Sequence, residues 1–333
     1  MYTIILSHTP KELEMLYPEK SLNKLKQLGN VILNPYDRQL TTKEMIEKAH
    51  EANFIITTVR FEGNEELFEN CPNLISFIRS GVDIRNINME AAARNGVLVC
   101  NCPGIYEAPV VELVIGYLCA ISRGIIKHHT ELKNGVAQRY TLPDLWRKSL
   151  GLIGYGAIAR KVAKVAKALG MKILVHDPFI NEVESDEQLC SMEELLKNSD
   201  FVSLHAVLNS ETEGMMGEKE FSLMKSTAWF INSGRGLLVQ EKALYEHLVE
   251  GKIAGAALDV FATEPNIVEN PLVKLDNVIA TPHIGGWSSR VYEELSLRTV
   301  ELVEMMISGE MPDSTYNKNL IKENGRLEKL IHT

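Results

Sequence analysis

Cysteine is scarce in this chain, with five residues in 333: Cys71, Cys100, Cys102, Cys119 and Cys190. A small, odd number at scattered spacings argues against a disulfide framework and fits a reducing cytoplasm. Cys100 and Cys102 form a close pair, but no second Cys or His pair stands at ligand spacing. No metal site is expected, and the pair reads as the end of an apolar strand. His128 and His129 lie in a polar stretch and read as solvated. No apolar run reaches the roughly 18 residues needed to span a bilayer, so no membrane segment is expected. The start, MYTIILSHTP, lacks a basic leader and a cleavage site and reads as a strand. Long basic runs are missing too. With a net charge of −9, nucleic acid is not expected as a partner. Tandem repeats and low-complexity segments are absent.

What remains is a 45% hydrophobic, 24% charged chain, long enough for two ordinary domains. Its first hundred residues alternate short apolar runs with amphipathic stretches. Strands are expected at Tyr2–Leu6, Val31–Leu33, Phe54–Val59, Leu74–Arg79 and Val97–Cys100. Helices are expected over Leu13–Leu28, Thr42–Ala52, Glu65–Glu69 and Met89–Asn95. Strands separated by helices imply βαβ units and a parallel sheet covered on both faces. After the break at Pro103-Gly104, VVELVIGYLCAIS predicts a long apolar helix over Val110–Ser122. Helical capacity continues to about Gly135, before a polar loop to Lys148. The alternation then resumes with about six strands, enough for a complete dinucleotide-binding domain. Arg290–Ile307 predicts a last amphipathic helix, with Val291, Leu295, Val300, Val303 and Ile307 on one face. The charged tail beyond Glu310 carries no strong signal.

The stretch Leu150–Arg160, LGLIGYGAIAR, organises the second half. An apolar strand runs into Gly154-Tyr155-Gly156 and then into residues of helical composition. A strand feeding a helix through such a turn aims backbone N–H groups and a helix N-terminus at one spot, which favours a pyrophosphate. The match is G-x-G-x-x-A, with Ala159 in the third glycine's place. Alone it could be only a tight bend. Asp177 strengthens it, because it ends the next strand about 20 residues on, where a carboxylate accepts hydrogen bonds from ribose hydroxyls. It would repel a 2′-phosphate, so NAD is favoured over NADP.

Three later strands each end in a turn: Asn232-Ser233-Gly234-Arg235-Gly236, Asp259 to Pro265, and Thr281-Pro282-His283-Ile284-Gly285-Gly286. Ligands of open α/β sheets bind outside the carboxyl ends of the strands, so Arg235, Asp259, Glu264 and His283 are candidates to converge. Hydride reduction of a 2-keto acid needs a cation for the carboxylate and carbonyl, and an acid for the forming alkoxide. Arginine offers a fixed fork for the first task and histidine a proton for the second. A carboxylate beside the histidine stabilises its protonated form. Singly, each residue has a bland alternative: Arg235 a surface charge, Glu264 turn chemistry before Pro265, His283 a core-edge histidine, Asp259 a loop cap.

Over roughly residues 40–310 the sequence resembles the D-isomer-specific 2-hydroxyacid dehydrogenases. GLIGYGAIAR with Asp177, VSLHAVLNSET, INSGRG, GAALDVFATEP and TPHIGG carry the resemblance in order and spacing. It implies an NAD-dependent oxidoreductase passing a hydride between NAD(H) and a D-2-hydroxy acid or 2-keto acid. Arg235 would bind the substrate carboxylate and carbonyl, His283 would move the proton, and Glu264 would pair with His283. Gly154, Gly156, Ala157, Ile158, Asp177, Ser233, Gly234, Asp259, Gly285 and Gly286 would contact the cofactor, Asp259 at the nicotinamide carboxamide. His205 matches a position near the cofactor and reads as structural. The implied fold is α/β, two Rossmann-like or flavodoxin-like parallel-sheet domains. The NAD-binding domain, 102–289, is inserted into a substrate domain made of 1–101 and 290–333, with the active site in the cleft. A homodimer is implied through an arm near residues 105–145.

Departures from the family pattern bear on substrate. A family loop resembling G-x-G-x-D-N-I-D reads here Arg79-Ser80-Gly81-Val82-Asp83-Ile84-Arg85-Asn86-Ile87-Asn88. Gly81 is kept, Asp83 takes the second glycine's place, and Arg85 stands where an acid is common. Ser80, Gly81 and Val82 are the expected carboxylate contacts. The added polarity suggests a hydroxylated or phosphorylated substrate; a structural rearrangement is the alternative. Val207 replaces a proline, and Trp287 either walls the substrate pocket or packs between domains. The chain stops short of the extra regulatory domain of many phosphoglycerate dehydrogenases, which lowers the expectation for that substrate. A non-enzymatic NAD-sensing scaffold, like the related corepressors, is the competing function.

Overall fold

The computed structural model describes residues 1–265, 267–322 and 325–328. The chain forms two compact units, one of Met1–Ile105 with Ser288–Thr333, the other of Tyr106–Trp287.

The first unit begins with β1 (Tyr2–Leu6), α1 (Pro10–Leu16), α2 (Glu19–Leu28), β2 (Gly29–Leu33) and α3 (Thr42–Ala49). It continues with β3 (Phe54–Thr57), α4 (Glu65–Asn70), β4 (Ser76–Arg79), α5 (Met89–Arg94) and β5 (Leu98–Cys100). The strands form one parallel sheet in the order β2-β1-β3-β4-β5. Every residue of β3 and β4 is buried, as a sheet with both faces covered requires. Thr9 caps α1 and Thr41 caps α3, each in a reciprocal capping box with the glutamate three residues on. The helix expected over Leu13–Leu28 is two helices. Pro18 has no N–H to continue the first and stands at the start of the second.

The second unit opens with α6 (Glu107–Arg123) and α7 (Ile125–Lys133), separated by Gly124 at φ 57°. That left-handed residue ends α6, and the helical capacity beyond it becomes a new helix. Then come β6 (Ser149–Ile153), α8 (Ala157–Ala168), β7 (Lys172–His176), β8 (Glu187–Leu189), α9 (Met192–Asn198) and β9 (Phe201–Leu204). The unit ends with α10 (Glu218–Leu223), β10 (Trp229–Asn232), α11 (Glu241–Val249), β11 (Gly255–Leu258) and β12 (Val278–Ala280). The sheet is parallel and seven-stranded, ordered β12-β11-β10-β9-β6-β7-β8. The strand missing from the sequence reading is β8, whose Glu-Gln-Leu has no apolar run because it lies at the edge. Strand order reverses between β6 and β9, so the turn after β6 stands at the topological switch point, where dinucleotides bind.

α12 (Ser289–Ile307) returns to the first unit and packs on α1 and α2. Its buried stripe includes Leu302 and Met306 beyond the expected set, while Ile307 is half-buried. The tail is more structured than its sequence suggests. Asn317 accepts from the Val99 N–H at 2.9 Å and donates to the Val97 carbonyl at 2.9 Å, tying the tail to β5. The boundaries expected at 101/102 and 289/290 fall instead at Ile105/Tyr106 and Trp287/Ser288. Asn101 and Cys102 stay with the first unit through bonds to the Val82 and Gly81 carbonyls. Among the described residues no single helix is long and apolar enough to cross a membrane. Cys100 and Cys102 are fully buried, and burial pushes both thiols up, Cys102 to about 12. His128 is not simply solvated: Nδ1 bonds the Gly124 carbonyl at 2.9 Å and the ring rests on Tyr140.

Candidate active site

The turn after β6 is built for close approach. Gly154 adopts φ 84°, and a Cβ there would lie 2.8 Å from the Ala206 nitrogen, so only glycine fits. Gly156 is the N-cap of the twelve-residue α8 and brings no side-chain cap. A Cβ on it would meet nothing within 4 Å. No side chain caps the start of α8 and the space beside the Gly156 Cα is open, as a pyrophosphate site at a helix N-terminus needs. Ala159, in the third glycine's place, is fully buried where the helix meets the sheet. Ala157 is exposed and Ile158 half-buried at the open end.

Asp177 follows β7. Its Oδ2 accepts from the Tyr155 N–H at 2.8 Å and its Oδ1 from the Phe179 N–H at 2.9 Å. Each oxygen keeps a lone pair for a ribose hydroxyl, but the carboxylate also anchors the glycine turn. His205 follows β9 and joins Ser203 through Nε2 at 2.9 Å. Burial lowers its pKa to about 4, so it is neutral and serves the loop after β9.

The loop after β10 is closed by Asn232, whose amide accepts from the Gly234 N–H and donates to the Arg235 carbonyl, both at 3.0 Å. The Ser233 hydroxyl is buried and has no hydrogen-bond partner among the described residues. An orphaned polar atom beside the switch point fits a cofactor contact. The Arg235 guanidinium donates to the Gly234 carbonyl at 2.8 Å.

Asp259, after β11, is 1% exposed. Its Oδ1 accepts from the Thr281 hydroxyl at 2.5 Å and the Ile284 N–H at 2.8 Å, and its Oδ2 from the Gly285 N–H at 2.8 Å. The carboxylate thus organises the loop after β12, with one acceptor position remaining. Gly285 lies over this carboxylate, and a Cβ on Gly286 would press to 2.7 Å from the Tyr106 ring. His283 in the same loop has φ 56°, a strained value for a non-glycine, of order 1–3 kcal/mol. The Asp259 and Thr281 carbonyls hold it there through the His283 N–H.

His283 Nδ1 lies 2.6 Å from Glu264 Oε2. The Glu264 Oε1 accepts from the Phe261 N–H at 3.0 Å. Burial pushes the Glu264 carboxyl up. The bonds from His283 and Phe261, with the Arg235 charge, outweigh it and leave the group below the ordinary carboxylate value. Glu264 is therefore an anion at neutral pH. With Nδ1 engaged, the half-exposed imidazole keeps Nε2 for a reacting partner. The loops after β10, β11 and β12 thus bring a guanidinium, a carboxylate and an imidazole together.

In the first unit, the Ser80–Val82 loop is more committed than expected. The Ser80 N–H donates to the Thr57 carbonyl, and the Gly81 N–H to the Arg79 carbonyl, both at 2.9 Å. The Ser80 hydroxyl donates to the Thr57 carbonyl at 3.3 Å and sits 2.9 Å from His8 Nε2. Only the Val82 N–H of the three is without a partner among the described residues. Sequence reasoning missed His8 and Arg79. His8 is fully buried, and burial pushes it down to about 4. Arg79 is 1% exposed, holding the Phe61 carbonyl and Asn86, and burial lowers it to about 10. A polar pair directly after a predicted strand, Ser7-His8, was the available signal. Arg85 is engaged by Asp83 through a two-point pair, the shortest contact 2.6 Å. Val207 and the Trp287 indole are exposed.

A doubly wound unit with a glycine turn at its switch point, a carboxylate at the end of the next strand and a Glu-paired histidine has the features of a dinucleotide-dependent dehydrogenase. The D-isomer specific 2-hydroxyacid dehydrogenase NAD-binding domain matches residues 115–285. The chain is 32% identical to a glyoxylate reductase of Korarchaeum cryptofilum, over 92% of this chain and 95% of that one. It is 35% identical to a D-3-phosphoglycerate dehydrogenase of Methanocaldococcus jannaschii, over 90% of this chain but only 57% of that protein's length. Among solved structures, a glyoxylate reductase from Paecilomyes thermophila aligns at TM-score 0.81 and 26% identity, covering 93% and 97% of the two chains. An acyclic imino acid reductase in complex with NADPH and D-Arg aligns at 0.82 and 28%, covering 94% and 99%. The chain belongs to the D-isomer specific 2-hydroxyacid dehydrogenase family, and it is an NAD-dependent oxidoreductase.

Proposed function

We propose that this enzyme reduces a small, unphosphorylated 2-keto acid to the D-2-hydroxy acid. The observation that carries the reading is the 2.6 Å contact between His283 Nδ1 and Glu264 Oε2, beside Arg235. When bound, NADH supplies a hydride to the carbonyl carbon. Arg235 holds the carboxylate and the carbonyl oxygen, so charge growing on that oxygen is stabilised as it forms. Protonated His283 delivers its Nε2 proton to the alkoxide, and Glu264 stabilises the imidazolium before transfer. Ser80, Gly81 and Val82 serve as the substrate loop, with the Val82 N–H the available donor. Gly154, Gly156, Ala157 and Ile158 cradle the diphosphate. Asp177 accepts from the ribose, and Ser233, Gly234, Asp259, Gly285 and Gly286 line the nicotinamide side. The relatives named glyoxylate reductase align along nearly their full length. Arg85 is engaged by Asp83, which argues against its serving as a phosphate receptor.

The test is an NADH-oxidation panel of glyoxylate, hydroxypyruvate and 3-phosphohydroxypyruvate. The highest kcat/KM is expected on one of the first two, with NADH preferred to NADPH. NADH binding without turnover of any 2-keto acid would instead favour an NAD-sensing scaffold. Best turnover on the phosphorylated acid would overturn the substrate assignment.

We also infer a homodimer, formed through α6, α7 and the following loop. Ile125, Ile126 and Leu132 on α7 and Trp146 beyond it are 53%, 47%, 64% and 61% exposed, an apolar set that a second copy would cover. Light scattering should give twice the chain mass, and Leu132→Glu should shift it toward the single-chain mass. A wild-type chain that is monomeric at micromolar concentration would exclude the arrangement.

A further inference from the structure

The edge strand β8 is held to the cofactor turn by side chains, not by sheet pairing alone. The Glu187 side chain is 1% exposed although it carries a carboxylate. Its Oε2 accepts from the Tyr155 hydroxyl and from the Glu184 N–H, and its Oε1 pairs with Lys167 of α8 at 2.9 Å. Lys167 also reaches Asp186 at 2.8 Å. Tyr155 is the middle residue of Gly154-Tyr155-Gly156 and is 3% exposed. Arg160, from the first turn of α8, lies over its ring at 4.4 Å. The turn is therefore pinned at one residue from two directions: its N–H goes to Asp177 and its phenol to Glu187. A phenylalanine would fill the same space, so the hydroxyl's distinctive contribution is the link to β8. A hydrogen bond to a buried charge is stronger than a neutral one, and losing it strands the carboxylate.

We propose that Tyr155 and Glu187 are positioning residues forming a clasp that sets the glycine turn for the dinucleotide and transmits its occupancy to β8. The inference rests on the turn being the NAD site. It does not depend on which 2-keto acid is reduced.

The experiment measures NADH affinity by fluorescence titration, and amide hydrogen exchange across Glu187–Leu189 with and without NADH. Wild type, Tyr155→Phe and Glu187→Gln are compared. In wild type, NADH is expected to slow exchange in β8. Tyr155→Phe is expected to weaken NADH binding roughly tenfold and to abolish the slowing at saturating NADH, while the keto-acid KM at saturating NADH stays unchanged. Glu187→Gln keeps a carbonyl acceptor for the phenol and should retain part of both effects. Wild-type NADH affinity in Tyr155→Phe, or β8 exchange indifferent to NADH in wild type, overturns the clasp. These readouts need no turnover, so failure of the keto-acid assignment shows separately in the panel, and a turn that is not the NAD site shows as wild-type NADH affinity in Gly154→Ala, whose Cβ would press on the Ala206 backbone whatever the clasp does. Both clasp variants are conservative, and their native exchange elsewhere in the sheet verifies folding.

Discussion

His283→Ala is expected to lower kcat by a factor of about 10²–10⁴, the usual contribution of a positioned acid–base group. NADH affinity should change little, because the role proposed for the residue is on the substrate proton. The arrangement explains the size. The imidazole is fixed at Nδ1 by a carboxylate 2.6 Å away, and its backbone sits at a strained φ of 56° held by two carbonyls. Glu264→Gln should fall between wild type and His283→Ala, since an amide orients the ring without stabilising its charge. Steady-state kinetics with a parallel NADH titration check both, and a loss below threefold for His283→Ala would remove it from the chemistry.

Arg235→Lys should be nearly as damaging, with kcat/KM down by about 10²–10³ and both kcat and KM affected. Lysine keeps the charge but loses the planar fork that, in the proposed role, holds carboxylate and carbonyl together. The Arg235 carbonyl accepts from Asn232, and its guanidinium is oriented by the Gly234 carbonyl, so the side chain leaves its loop in a defined direction. Its charge also helps keep Glu264 ionised. Arg235→Ala should therefore raise the Glu264 pKa as well as loosen the substrate, and the acid limb of the pH–rate profile should move toward neutrality. An Arg235→Lys enzyme with wild-type kinetics would sink the assignment.

The two sheets were largely legible because parallel strands covered on both faces are short apolar runs, and helices between them carry caps. Gly154, Gly156 and Asp177 stood out as a group because the dinucleotide fingerprint asks for those residue types at that spacing, and the structure joins them through the Tyr155 N–H bond to Asp177. What escaped depended on contacts distant in sequence. Glu187 sits in a strand with a single neighbour, so β8 has no apolar signature. Asn317 belongs to a charged tail, and its role appears only against β5. His8 and Arg79 are polar groups in buried positions, and composition alone gives no reason to bury them. Pro18 lies inside the helix expected over Leu13–Leu28 from its apolar spacing, and it divides that stretch in two. Asp259 carried two readings in the sequence, and the hydrogen bonds of its carboxylate bear out the loop-organising one, because they hold the His283 loop.

The return of α12 to the first unit has a consequence for the order of synthesis. The Tyr17 hydroxyl bonds Thr299 and Ser21 bonds Ser296, partners 282 and 275 residues apart. At about 5–20 residues per second, the α1–α2 surface waits on the order of tens of seconds on the ribosome for the helix that covers it. The Tyr106–Trp287 unit is contiguous and contains no such wait. It can complete its sheet while the first unit still exposes the surface α12 will cover and the edge of β5. Its folding also shortens the effective loop the two ends must close, easing an entropy that grows only with the logarithm of length. A nascent chain stalled before Ser289 would thus carry a finished cofactor unit and an unfinished, aggregation-prone partner.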